Sequence, residues 1–113
     1  MSDKIENMDL NFFQLVFSLQ TAAMQQLGKI VSPVTGKIER DIVLAKTTID
    51  ILGMMEKKTN GNLTAEETRY IAHSLHELRL NYVDEIKKEN KGGQNDGPSE
   101  NISKGSKSNG PGD

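Results

Sequence analysis

The two histidines of the chain, His73 and His76, lie three residues apart, and on a helix His73 shares a stripe with Glu66, Glu77 and Asp84. A histidine and a glutamate four residues apart present an imidazole and a carboxylate on one face, the smallest useful ligand pair for a divalent cation. A working metal site needs further ligands converging from elsewhere and hydrogen bonds behind them to fix their orientation. The chain has no cysteine and no third histidine to offer. A metal-dependent enzyme or metal-binding protein using His73 and Glu77 therefore stands as the alternative to an ordinary exposed helix face.

Other residues invite weaker chemistry. Asp50 and Arg79 are the charged residues nearest the apolar stripes, but a catalytic carboxylate needs a partner acid, base or metal within reach. The spacing puts Arg79 level with Asp41 or Leu44 rather than with Asp50, so a flanking ion pair or a snorkelling arginine accounts for both. Gly61, between Asn60 and Asn62, precedes a helix start at Thr64 where a phosphate would find a favourable dipole. Glu66 and Glu67 already fill that field with negative charge, and no glycine-rich loop is followed by Lys-Ser or Lys-Thr. The pairs Lys57-Lys58 and Lys87-Lys88 could touch RNA, yet each sits at a helix end where the dipole explains it, with no interleaved aromatics.

The elements that would position these residues are helical. In the first, Asn11, Gln14, Ser18, Thr21 and Gln25 make one narrow polar stripe, while apolar residues cover about 220° of the circumference. Asp9 is the expected N-cap and Gly28 the stop, with Pro33 and Gly36 in the connection. The second pattern carries Ile42, Ala45, Ile49, Leu52 and Met55, with Leu44 and Ile51 widening the same face and Met54 off the stripe as a candidate for an interface. The third begins at Thr64-Ala65-Glu66-Glu67, a capping box in which the Thr64 hydroxyl and the Glu67 carboxylate each meet a backbone N–H. It carries Ile71, Leu75, Leu78, Tyr82 and Ile86. The pairs Ile42–Tyr82, Ala45–Leu78, Ile49–Leu75 and Leu52–Ile71 mirror each other about the turn at Gly61, as level positions in an antiparallel hairpin would.

The expected fold is thus all-α, a small bundle of an N-terminal apolar helix and an antiparallel helical hairpin, with helices over about 10–27, 39–58 and 65–88. Residues 1–89 form that domain. Residues 90–113 hold 6 of the 10 glycines and Ile102 as their single large apolar residue, so they are expected to be a disordered tail.

With 14 basic and 16 acidic residues and a net charge of -2, the chain lacks the basic character of a nucleic-acid binder. Asp3, Glu6 and Asp9 outweigh Lys4 ahead of the first apolar run, which argues against an export signal. The uncharged run Leu10–Gly28 holds too many Asn, Gln, Ser and Thr residues for a membrane span. Absence of cysteine suits a reducing cytoplasm.

The stretch Leu44-Ala45, Ile49-Asp50, Leu52, Lys58-Thr59-Asn60-Gly61-Asn62-Leu63-Thr64, Glu66-Glu67, Leu75, Leu78-Arg79, Tyr82-Val83 resembles the bacterial family known as domain of unknown function 1844. So does the arrangement of Phe12-Phe13, Val16, Ser18-Leu19, Ala23, Leu27-Gly28 and Pro33. The resemblance covers roughly residues 10 to 84, the rigid Lys-Thr-x-Gly-Asn-Leu-Thr spacing being its most specific part. It departs at Ile71-Ala72-His73, where the family is richer in leucine. It implies a small, helical, cytoplasmic bacterial protein, and carries over no catalytic or binding residue.

The functional expectation is a non-enzymatic interaction module that associates with itself, most simply as a homodimer, or with another protein. Its expected surface is the over-apolar first helix: Phe12, Phe13, Leu15, Val16, Phe17, Leu19, Ala22 and Ala23, whose smaller members would allow close approach. No cofactor is expected. An RNA- or ribosome-associated factor is the remaining alternative.

Overall fold

The structure is a computed structural model and describes residues 8–96; of the tail expected over residues 90–113, residues 97–113 lie outside them. Three helices account for its regular structure: α1, Leu10–Gln26; α2, Ile42–Lys58; and α3, Ala65–Asp96. No strand occurs among the described residues.

Each helix start is fixed by a side chain. Asp9 Oδ1 accepts from the N–H groups of Asn11 (2.9 Å) and Phe12 (3.4 Å). Asp41 Oδ1 accepts from Leu44 N–H at 3.1 Å, and this is why α2 begins at Ile42 rather than near Glu39: the N-cap residue itself stays extended, so the helix cannot reach back past it. The capping box at α3 is closed in both directions, with Glu67 N–H donating to Thr64 Oγ1 at 3.1 Å and Thr64 N–H donating to Glu67 Oε1 at 2.9 Å.

The C-terminus of α1 closes in a Schellman motif. Lys29 N–H reaches Met24 O at 2.9 Å and Gly28 N–H reaches Gln25 O at 3.0 Å, which requires Gly28 at φ +83°. A Cβ on Gly28 would also lie 3.2–3.3 Å from the Arg40 side chain. Gly28→Ala is therefore expected to cost about 1–2 kcal/mol in urea unfolding, from the left-handed backbone alone. Gly61, at φ +90°, has open space around it and carries only the backbone part of that penalty.

The third helix runs beyond the expected end at Lys88 to Asp96. Gly92 and Gly93 weaken helix propensity but place no steric stop, and the first proline after α2 is Pro98.

The chain divides into two compact units, Met1–Tyr82 and Val83–Asp113. In the second, Lys88 Nζ sits 3.4 Å from Asp84 Oδ2 and 3.5 Å from Glu85 Oε2, neighbours one turn back on the helix. In the first, one core is built from all three helices: Val16, Ala23 and Leu27; Ala45, Ile49 and Leu52; Ile71, Leu75 and Leu78.

Cross-helix contacts set the directions. Asp9 N–H donates to Glu67 Oε2, Phe13 stacks on Tyr70, and Ser74 Oγ donates to Gln20 Oε1, so position advances together along both elements and α1 runs parallel to α3. Between them in the chain, α2 runs the other way. Its N-terminal half is tied to the end of α1, where Asp41 N–H donates to Gln26 O at 2.7 Å and Thr48 Oγ1 donates to Gln26 Oε1 at 2.7 Å.

The hairpin register differs in detail from the mirror pairing. Leu75 and Arg79 both reach toward Gly53, where an added Cβ would stand 4.0 Å from Leu75 Cδ2 and 3.0 Å from an Arg79 guanidinium nitrogen. These contacts fall one turn or more further along α2 than equal spacing about Gly61 predicts. Helical side chains lean toward their own N-terminus, so in an antiparallel pair the tips of α3 side chains meet later α2 positions.

Candidate interaction surface

The sequence-selected residues of α1 do not form one face. Val16 and Ala23 have no exposed surface and belong to the core, where they are unavailable to a partner. Phe12 and Leu19 are half-buried against that core, and Ala22 is half-buried. Phe13 lies between Phe17 (ring centroids 6.1 Å apart) and Tyr70 (5.0 Å), and the burial of Tyr70 pushes its hydroxyl pKa up. Only Leu15 and Phe17 of the set are exposed, together with Leu10. Leu15 and Phe17 point about 160° apart round the helix, with Asn11, Gln14, Ser18 and Gln25 between them. The expected contiguous patch is thus replaced by two separated edges, because a helix wedged against two neighbours buries more than one groove's width.

The exposed apolar surface lies instead on α2. Val43 (76% exposed), Leu44 (45%), Ile51 (41%) and Met54 (46%) share its outer side with Thr47, centred about 160° round the helix from Ala45, Ile49 and Leu52. Leu44 and Ile51 therefore do not widen the core face, as the apolar pattern suggests; they stand outside it. Leu44, Thr47, Ile51 and Met54 follow one another at intervals of three, four and three residues. That is the spacing of a coiled-coil seam. Upstream, the loop from Leu27 to Asp41 exposes Val31, Val34 and Ile38 while holding itself together through Ser32, whose backbone N–H donates to Lys37 O at 2.9 Å and whose carbonyl accepts from Gly36 N–H at 2.8 Å.

Polar groups around this face are surface charges. Lys46 Nζ contacts Asp50 Oδ2 at 2.9 Å, and the carboxylate's hydrogen bond raises the lysine pKa. Asp50 and Arg79 line one shallow, open cleft of about 400 Å³ with Gly53, Met54 and Lys57, so Arg79 lies further toward the turn than the level of Asp41 or Leu44. Its guanidinium takes the room left by the missing side chain of Gly53. His73, His76 and Glu77 are exposed on the outer side of α3, and among the described residues no three His, Cys, Asp or Glu side chains gather in a way that could hold a metal. No described helix is long and apolar enough to cross a membrane.

The turn residues Gly61, Thr64 and Glu67 serve the architecture. Glu67 is buried and accepts from Asp9 N–H at 2.6 Å and from Thr64 N–H at 2.9 Å, and these two backbone donors, Asp9 first, hold its pKa below the usual carboxylate range. One carboxylate thus joins the starts of α1 and α3.

What missed detection in the sequence was the status of Val43 and Thr47 and the true side of Leu44 and Ile51. The seven-residue interval Leu44–Ile51, repeated by Thr47–Met54, was the available signal.

These features define a small three-helix unit with a completed core, an unpartnered apolar helix face and, among the described residues, no metal-binding cluster. Residues 9–84 match the family described as a domain of unknown function (DUF1844), and the chain belongs to that family. No curated protein and no solved structure matches it.

Proposed function

We propose that this protein is a non-enzymatic interaction module whose contact surface is the outer face of α2. The observation that carries the reading is the exposure of Val43, Leu44, Ile51 and Met54 on one side of a helix whose opposite side is already in the core. An apolar row left outside a finished core costs solubility, and rows of this kind usually mark an interface. The same face replaces α1 as the contact element because Leu15 and Phe17 are separated there by polar residues. Residence in the bacterial cytoplasm fits the family resemblance and the chain without cysteine, and cell fractionation tests it.

The experiment is site-specific photo-crosslinking in living cells. A photoreactive residue in place of Ile51 should give a discrete protein adduct, while one in place of Glu77, exposed on α3, should not. Equal yields at the two positions, or no adduct at Ile51, would overturn the reading.

A further inference from the structure

We propose that the partner on this face is the α2 helix of a second copy of the chain, laid antiparallel across it. The inference rests on the interaction reading above. Spacing of three, four and three at Leu44, Thr47, Ile51 and Met54 fits a helix, since a knobs-into-holes seam repeats every 3.5 residues and no strand or loop matches that period.

The flanking charges select the copy and its direction. Asp50 and Lys57 stand one heptad apart on the same flank of the seam, each immediately before a seam position or its heptad equivalent. In an antiparallel pair, like flanks meet. When Ile51 of one helix is level with Met54 of the other, Asp50 approaches Lys57 of the second copy, Thr47 faces Lys58, Leu44 lies beyond the end of the partner α2, and the two-fold axis repeats the Asp50–Lys57 pair with the roles exchanged. Both charges are thereby answered by the same sequence, which is the self-complementarity that a two-fold interface requires. A parallel pair would bring the opposite flank, Thr48 and Met55, against Asp50 and Lys57, leaving Lys57 without a carboxylate across the seam and Asp50 with Lys46 alone.

Asp50 already holds Lys46 at 2.9 Å, and its remaining oxygen is available for the second cation. Arg79 lines the cleft next to Asp50 and adds to the positive field on that flank. The other candidate from within the chain, residues 97–113, has Ile102 as its only large apolar residue and no heptad to match the seam.

In that register the apolar contact is the pair of Ile51–Met54 layers, so the dimer should be concentration-dependent, with a dissociation constant on the order of micromolar rather than nanomolar. Sedimentation equilibrium of the full chain tests the proposal. The wild-type chain should pass from monomer to dimer as concentration rises to about 100 μM, and Ile51→Glu should weaken association at least about tenfold while leaving the helical circular dichroism, and the melting midpoint at monomer concentrations, unchanged. Asp50→Lys should weaken it by roughly three- to tenfold, and the exchange Asp50→Lys with Lys57→Asp should recover most of that loss. A chain that stays monomeric at about 100 μM, or a dimer indifferent to Ile51→Glu, overturns the second-copy proposal. A dimer weakened by Ile51→Glu but not recovered by the charge exchange overturns the antiparallel register. If the chain is monomeric while the photo-crosslink at Ile51 captures a different protein, the second copy fails and the interaction reading stands; absence of any adduct removes both.

Discussion

Leu75→Ala should lower the stability of the folded chain by about 2–5 kcal/mol, whereas Ile51→Ala should cost less than about 1 kcal/mol. Both are large aliphatic residues in helix interiors, and their sequence surroundings do not separate them. Leu75 is 1% exposed and in the shared core of α1, α2 and α3; truncation there removes transfer free energy and leaves a cavity that three packed helices close only in part. Ile51, 41% exposed and outside the core cluster, gives up fewer buried contacts and leaves no enclosed cavity. Urea unfolding of the two variants at a concentration low enough to keep the chain monomeric measures the difference. Comparable losses would mean that α2 is rotated and that Ile51 belongs to the core.

Glu67→Ala should be the second large effect, on the order of 1–3 kcal/mol, because it orphans two backbone donors at once. Thr64→Ala removes only the reciprocal bond to Glu67 N–H and should cost about 1 kcal/mol. The pH dependence has a definite sign. The Glu67 pKa is lowered in the folded chain by the N–H groups of Asp9 and Thr64, so its contribution is present above the ordinary glutamate pKa, about 4.3, and is lost as pH falls through the lower folded value. Thermal unfolding followed from pH 7 downward should therefore steepen in its decline below about pH 4.5 for the wild type and less so for Glu67→Gln. Parallel declines in the two proteins would show that this carboxylate does not couple α1 to α3.

The features that were legible in the sequence are local ones. The capping box Thr64–Glu67, the cap Asp9 and the glycine stop at Gly28 act over three or four residues, and their chemistry is complete within that span. The hairpin followed because a short turn leaves two amphipathic helices no other economical arrangement. Which side of α2 faces inward was not legible, since Leu44 and Ile51 are as apolar as Ala45 and Ile49 and a helix apolar on two sides has no unique inner face from period alone. The same degeneracy affected α1, where Val16 and Ala23 went into the core while Leu15 and Phe17, no less hydrophobic, stayed outside. Only the angle at which each neighbour packs decides between such residues. The end of α3 was hidden for a different reason: the chain has no helix-stopping residue between Lys88 and Asp96 beyond two glycines, and composition alone reads those as a linker.

The most direct test of the α2 surface is hydroxyl-radical footprinting of the purified chain at low and high concentration, read residue by residue. Met54, exposed on the seam, has a highly reactive sulfur, and Met24 and Met55, half-buried in the same unit, are internal references. Modification of Ile51 and Met54 should fall several-fold as concentration rises, while Leu15 and Phe17 on α1 and Leu80 on α3 keep their reactivity. Protection of Leu15 and Phe17 with Met54 still fully reactive would contradict the account and return the interface to α1.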